Sequence, residues 1–168
     1  MRVGDTEPAS AGDPCQMLKA SSSEPGQVGA ADAIGLLPQE LSRALQSPAF
    51  REASAVLNDL EQLPEDWDSY GAAKPSPANI AFARSFLHDA GLMLADLGLE
   101  TPVPFVAPTA EGGIQFDFAE LGRVLELEIK APCQFEYLKL DPDGEEEGTF
   151  EGRWPANRLL LWLTSGAE

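Results

Sequence analysis

The spacing of apolar residues changes once along this chain, near residue 98, and that change constrains the fold more than any other feature. Before it, apolar side chains recur every three or four residues, which is the period of an α-helix. After it, apolar and polar residues alternate, as they do in strands that are covered on one face. Helices followed by strands predict an α+β domain whose helices cover one side of an antiparallel sheet.

Two helices are predicted between residues 47 and 98. Each begins with a Ser-Pro pair, at Ser47 and Ser76, which supplies an N-cap side chain and a proline at the first helical position. Gly98 is the expected C-terminal end of the second helix. The apolar stripe of that helix contains Ile80, Ala83, Leu87, Ala90, Leu94 and Leu97. An earlier short helix is predicted from leucines spaced four apart, at Leu37, Leu41 and Leu45.

The second half of the chain predicts an antiparallel meander. Three strands are expected at "IQFDFAE", "RVLELEIK" and "QFEYLKL", with "DPDG" as a turn after the third. The segment "TPVPFVAPTAEGG" before them is expected to be an extended, proline-bounded piece and a turn, and "GEEEGTFEG" after them is a candidate fourth strand. The predicted architecture is two or three N-terminal helices on one face of a three- to four-stranded meander, with a short C-terminal helix at "WPANRLLLWL".

Residues 1–35 differ in composition from the rest of the chain. They are rich in Ser, Gly, Pro, Ala and acidic residues and show no helical or strand period, which predicts a flexible tail before a single α+β domain at residues 36–168. The start of the chain has no apolar core of a signal peptide, and no apolar run reaches the ~20 residues of a membrane span. Two cysteines, Cys15 and Cys133, give no disulfide framework, which favours a cytoplasmic location.

The charge balance limits the kinds of partner. Among 168 residues there are 28 Asp and Glu against 11 Lys and Arg, a formal net charge of −17. Such a surface repels nucleic-acid phosphates and anionic lipid headgroups, so direct binding to nucleic acid or membranes is not expected. A protein partner, possibly basic, and mimicry of a phosphate backbone both remain open.

The loop "EDWDSYGAAKPSP", residues 65–77, carries two large aromatic side chains between the two predicted helices. Asp68 is expected to accept backbone N–H groups within the turn. Trp67 and Tyr70 are open to two interpretations: buried anchors between the helix ends and the sheet edge, or exposed contacts for a partner, since both residue types are enriched at interfaces.

This loop also carries a resemblance. "WDSYGA", followed by "PVPFVAPTAEGGIQFDF", resembles the signature of a group of small bacterial proteins with a WDGYGA-like motif and a later P-x-V-x-P-T-x-x-G-G-I-Q strand motif. The sequence departs from that pattern at Phe118, where the group has Trp. The resemblance implies a fold and brings no catalytic residues with it.

The strongest enzyme-like pattern is Asp117 followed by Glu128 and Lys130 on the next strand. Many Mg²⁺-dependent nucleases place an Asp and a Glu-x-Lys in this way, with the carboxylates on the metal and the lysine near the attacking water. The same residues are also typical of any solvated sheet face. The chain has a single histidine, His88, and no metal-ligand spacing, so no catalytic residue, metal or cofactor is predicted.

The sequence therefore favours a small, acidic, non-enzymatic protein that binds another protein. An accessory, adaptor, or antitoxin- or immunity-like subunit fits this description, and a Mg²⁺-dependent nuclease and a DNA-mimic inhibitor are the alternatives. The acidic run "DPDGEEEGTFE" is expected to be either a solvated hairpin or a docking surface for a basic partner. The predicted partner-binding residues are Trp67, Asp68, Tyr70, Glu126, Glu128, Glu145, Glu146 and Glu147.

Overall fold

A computed structural model describes residues 47–166 of the chain. Its helices are α1 (Pro48–Glu61), α2 (Pro77–Asp96) and α3 (Trp154–Ser165), and its strands are β1 (Phe105–Pro108), β2 (Ile114–Glu120), β3 (Arg123–Ala131), β4 (Gln134–Asp141) and β5 (Gly144–Glu151). The predicted tail and the predicted helix at residues 37–45 lie outside the described residues.

The two predicted Ser-Pro helix starts are confirmed. Ser47 Oγ accepts a hydrogen bond from the Phe50 N–H at 3.2 Å, and Ser76 Oγ accepts one from the Asn79 N–H at 3.0 Å. At the other end of α2 the C-cap is Leu97, and Gly98 follows it with a φ of 70°, in the left-handed region where glycine is favoured. Local capping chemistry therefore accounts for where both helices begin and where α2 ends.

The five strands form one antiparallel sheet in the order β1-β2-β3-β4-β5, so each strand pairs with its neighbours in the chain. One row across the sheet shows the register: Val106 pairs with Phe116, Phe116 with Leu127, and Leu127 with Tyr137. Residues of this row face the helices, and we call this side of the sheet the inner face. The opposite side, where the alternate residues point, is the outer face.

The hydrophobic core lies between the inner face and the helices. Phe86 of α2 is central, with its ring 5.8 Å from that of Phe116 and 5.7 Å from that of Phe135. α1 packs on α2 and β1, whereas α3 packs on α2, β2 and β3. The fully buried residues of the three central strands are Ile114, Phe116, Phe118, Leu125, Leu127, Ile129 and Phe135.

The predicted α+β class is confirmed, but the sheet has five strands instead of three or four. β1 forms in the proline-bounded segment because it is a short edge strand, where proline costs no ladder hydrogen bond. β5 runs for 8 residues despite its many glutamates, because pairing along the whole of β4 outweighs its low intrinsic strand preference. The prediction for Leu97 is also wrong: it is 53% exposed, because α2 ends before it.

Two further predictions bear on the compartment. No helix within residues 47–166 combines the length and the apolar character needed to cross a membrane. Cys133, in the turn between β3 and β4, is disulfide-bonded. The two cysteines of the sequence predicted no disulfide framework, so this bond was not expected, and Cys15 lies outside the described part of the chain.

Candidate protein-binding surface

The connection between α1 and α2 is a loop held in shape by its own side chains. Asp68 Oδ1 accepts hydrogen bonds from the backbone N–H groups of Tyr70, at 2.8 Å, and Ala72, at 3.0 Å. Asp66 Oδ1 accepts a third from the Gly71 N–H, and the Asp66 N–H donates to the Ala72 carbonyl at 3.0 Å. These bonds satisfy backbone donors that would otherwise need water, and they fix the path of residues 66–72.

The ionisation of Asp68 strengthens this arrangement. The hydrogen bonds that it accepts from the N–H groups of Tyr70 and Ala72 hold the pKa of its carboxyl below the ordinary value. Asp68 is therefore a carboxylate at neutral pH, and its hydrogen bonds are charge-assisted.

The structure distinguishes the two aromatic residues of the loop. Trp67 is half-buried, and its Nε1–H donates to the Ala73 carbonyl at 3.2 Å. Tyr70 is 93% exposed. One ring thus has the geometry of an anchor within the loop, and the other projects into solvent from a backbone that is already fixed.

The loop is attached to one end of the sheet through the turn between β1 and β2. The Ala73 N–H donates to the Ala110 carbonyl at 2.9 Å, and Ala73 forms an isolated parallel bridge with Glu111. The buried Asn79 adds a second link, because its Nδ2 donates to the carbonyls of Gly112, at 2.9 Å, and Lys130, at 3.3 Å. The Tyr70 loop and the end of β3 are therefore neighbouring parts of the same surface.

The outer face of the sheet is acidic. Because side chains alternate along a strand, the strand register places the odd- or even-numbered set of each strand on this face. Its charged residues in β2 to β5 are Asp117, Glu126, Glu128, Lys130, Glu136, Glu145, Glu147 and Glu151. A single lysine among these residues leaves most of the carboxylates without a cation.

Lys130 is enclosed by carboxylates at the loop end of the outer face. Its Nζ lies 3.0 Å from Glu111, 3.5 Å from Glu128 and 3.4 Å from Glu136. The hydrogen bond to Glu111 and the negative charges of Glu128 and Glu136 raise the pKa of Lys130. This lysine is therefore protonated at neutral pH and cannot accept a proton.

The three residues of the nuclease alternative share the outer face. Asp117 pairs across the sheet with Glu126, and the neighbouring Gln115 pairs with Glu128. Gln115 Nε2 donates to Asp117 Oδ1 at 2.7 Å, so this carboxylate already has a neutral donor. Within residues 47–166, no three Asp, Glu, His or Cys side chains converge as a set that could hold a metal ion.

The acidic residues of β5 divide between the two faces. Glu145 and Glu147 lie on the outer face, where Glu147 and Glu126 flank Leu138 in one row. Glu146 lies on the inner face, where it accepts hydrogen bonds from Tyr137 Oη at 2.7 Å and Lys139 Nζ at 2.9 Å. The sequence-based grouping of these three glutamates therefore does not correspond to one surface.

Lys139 and Tyr137 are polar residues of the inner face that the sequence-based predictions do not include. Lys139 pairs with the buried Leu125, so it lies on the inner face, and its Nζ sits 4.6 Å from the centre of the Trp162 ring. The signal was present in the alternation of "QFEYLKL", because residues 135, 137 and 139 share one face of the strand.

Comparison of the chain with models of protein families, with curated proteins and with solved structures finds no match.

Proposed function

We propose that this protein is a non-enzymatic module that acts by binding another protein. In this role it is an accessory, adaptor, or antitoxin- or immunity-like subunit of a bacterial complex. The observation that carries the proposal is Tyr70, which is 93% exposed on a loop whose backbone is fixed by Asp66 and Asp68. We also propose that the chain is related to the group of small bacterial proteins with the WDGYGA-like motif.

An exposed tyrosine on a fixed loop has the properties of an interface hot spot. A tyrosine buries a large area with few rotatable bonds, so it loses little conformational entropy on binding. The hydrogen bonds of Asp68 remove the further cost of ordering the loop when a partner arrives. Trp67 also helps to hold the loop in shape, because its indole N–H donates a hydrogen bond to the Ala73 carbonyl within the loop.

The outer face supports a basic partner. Its carboxylates outnumber its cations, and Lys130, the cation of this face in β2 to β5, is already occupied by Glu111, Glu128 and Glu136. An acidic face speeds encounter with a basic protein and disfavours acidic ones, and this effect weakens as salt is added. We propose that Tyr70 supplies the anchor and the outer face supplies the charge selection.

The experiment is capture of partners by the tagged full-length protein from its native cells at low salt, followed by hydrogen exchange on the purified complex. The expected result is a stoichiometric protein whose binding protects backbone amides in residues 65–74 and the central strands. Protection confined to α3, or a captured set dominated by nucleic acid, would contradict the proposal.

A further inference from the structure

A cavity of about 450 Å³ lies between the inner face of the β4–β5 hairpin and α3, away from the Tyr70 loop. It exists because α3 packs on β2 and β3, which leaves the inner side of the last hairpin partly uncovered. Its volume is in the range of sites that hold small molecules.

The apolar part of the cavity is aromatic. Phe150 stacks on Phe135 with ring centres 4.9 Å apart, and the Tyr137 ring lies 5.8 Å from that of Phe150. α3 supplies Leu159 and Trp162 on the opposite wall. Such walls suit a flat or bulky apolar group.

Two of the charged residues that line the cavity, Glu146 and Lys139, pair with each other. Glu146 accepts from both Tyr137 Oη and Lys139 Nζ, and these bonds lower the pKa of Glu146, so it is ionised. The Lys139 ammonium is also placed over the Trp162 ring. Lys139 and Glu146 therefore neutralise each other and form a fixed polar wall.

Arg158 is the third charged residue that lines the cavity. It lines the cavity from α3, and within residues 47–166 its guanidinium makes no hydrogen bond, ion pair or ring contact. A second cation, Arg123, lies 5.7 Å from the centre of the Trp162 ring. Two cations, Lys139 and Arg123, thus lie against the Trp162 ring, and Arg158 lines the same cavity, in a protein whose net charge is −17.

We propose that this cavity binds a small organic anion, namely an aromatic or bulky apolar carboxylate. Its ring packs between Phe150 and the α3 residues Leu159 and Trp162, and its carboxylate pairs with Arg158. A guanidinium matches a carboxylate with two parallel hydrogen bonds, which gives orientation as well as affinity. This site is separate from the proposed protein-binding surface, so either can fail without the other.

The test uses 2-naphthoate as the probe and 2-naphthalenemethanol as its neutral counterpart, with the full chain. Calorimetry measures affinity, and the indole N–H signal of Trp162, assigned with a Trp162→Phe variant, reports location by NMR. We expect naphthoate to bind and to shift that signal, and Arg158→Gln to weaken binding roughly tenfold, as loss of a charged hydrogen-bond pair does.

Arg51→Gln is the matched control, because Arg51 is an exposed arginine on α1 and its loss changes the net charge equally. We expect it to leave the affinity unchanged, and both variants to keep the wild-type melting temperature. No binding of naphthoate at millimolar concentration, equal binding of the neutral alcohol, equal effects of the two arginine variants, or an unmoved Trp162 signal would each overturn the proposal.

Discussion

At the scale of single residues, Asp68 controls the loop through one oxygen that accepts two backbone N–H groups. Its pKa is lowered in the folded loop by those bonds, so the stabilisation is present above the ordinary aspartate pKa and is lost as pH falls through the lowered value. We predict that the amides of Tyr70 and Ala72 keep their hydrogen-exchange protection at neutral pH and lose it only in acid below the ordinary aspartate range, where Asp68 becomes protonated.

The matched variant for this prediction is Asp68→Asn, which keeps an acceptor oxygen but cannot titrate. Its Tyr70 and Ala72 amides should show protection without that acidic transition. An identical acidic transition in the variant would show that another group controls the loop.

Gly113 is a second residue whose role is local and testable. A Cβ there would lie 2.7 Å from Thr109 Oγ1, 2.8 Å from Glu128 Oε1 and 2.9 Å from the Ile129 carbonyl. Because one of these atoms is backbone at the centre of the sheet, we predict that Gly113→Ala lowers the free energy of unfolding by about 2 kcal/mol or more. Urea denaturation measures this change.

Gly91→Ala is the control for Gly113→Ala. It lies within α2, and an added Cβ would meet only Thr101 Oγ1, at an ordinary 3.8 Å. We predict a gain of about 0.5–1 kcal/mol from helix propensity. If both alanine variants shifted stability in the same direction and by the same amount, contact at Gly113 would not explain its effect.

At the scale of elements, the sequence predicted the helices better than the sheet. The starts of α1 and α2 follow from Ser47 and Ser76, each of which bonds a backbone N–H within one turn, so the signal is local. β5 has no such signal, because its glutamates disfavour a strand and only the distant pairing with β4 overrides them.

The candidate site, like the fold, was predictable from the sequence only where its contacts are local in the chain. The Asp68 turn is local chemistry, and it forms as expected. Which of Trp67 and Tyr70 is exposed depends on where the β1–β2 turn lies, through the contact of Ala73 with Ala110, and no short-range pattern contains that contact. The inward orientation of Glu146 likewise required the strand register.

Ser76 gives an element-scale prediction for α2. Its Oγ caps the helix at 3.0 Å from the Asn79 N–H, so Ser76→Ala should cost about 1 kcal/mol of stability. Ser76→Asp should recover most of that loss, because a carboxylate is also a good cap. Thermal unfolding compares them, and an Asp variant no better than the Ala variant would rule out capping as the cause.

At the scale of the whole molecule, the sheet separates two kinds of chemistry. Its inner face covers the core and lines the cavity beside α3, and its outer face holds more carboxylates than cations and ends next to the Tyr70 loop. We predict that Glu145→Gln combined with Glu147→Gln weakens binding of the captured partner at low salt, and that the difference shrinks at high salt. Binding assays across a salt series measure it.

Glu146→Gln is the control for those outer-face variants. It removes one charge from the same strand, but on the inner face, where Glu146 bonds Tyr137 and Lys139. It should leave partner affinity unchanged at every salt concentration. Equal weakening by Glu146→Gln would mean that total charge, and not the outer face, selects the partner.

The central claim is that Tyr70 anchors a partner protein, and the most direct measurement compares two exposed side chains. Tyr70→Ser and Leu121→Ser each remove a large apolar group, 93% and 69% exposed respectively, but Leu121 lies in the β2–β3 turn at the far end of the sheet. The dissociation constant of the captured partner should rise roughly 30-fold or more for Tyr70→Ser, as hot-spot residues do, and stay unchanged for Leu121→Ser. An unchanged constant for Tyr70→Ser, in a variant that keeps its fold, would contradict the account.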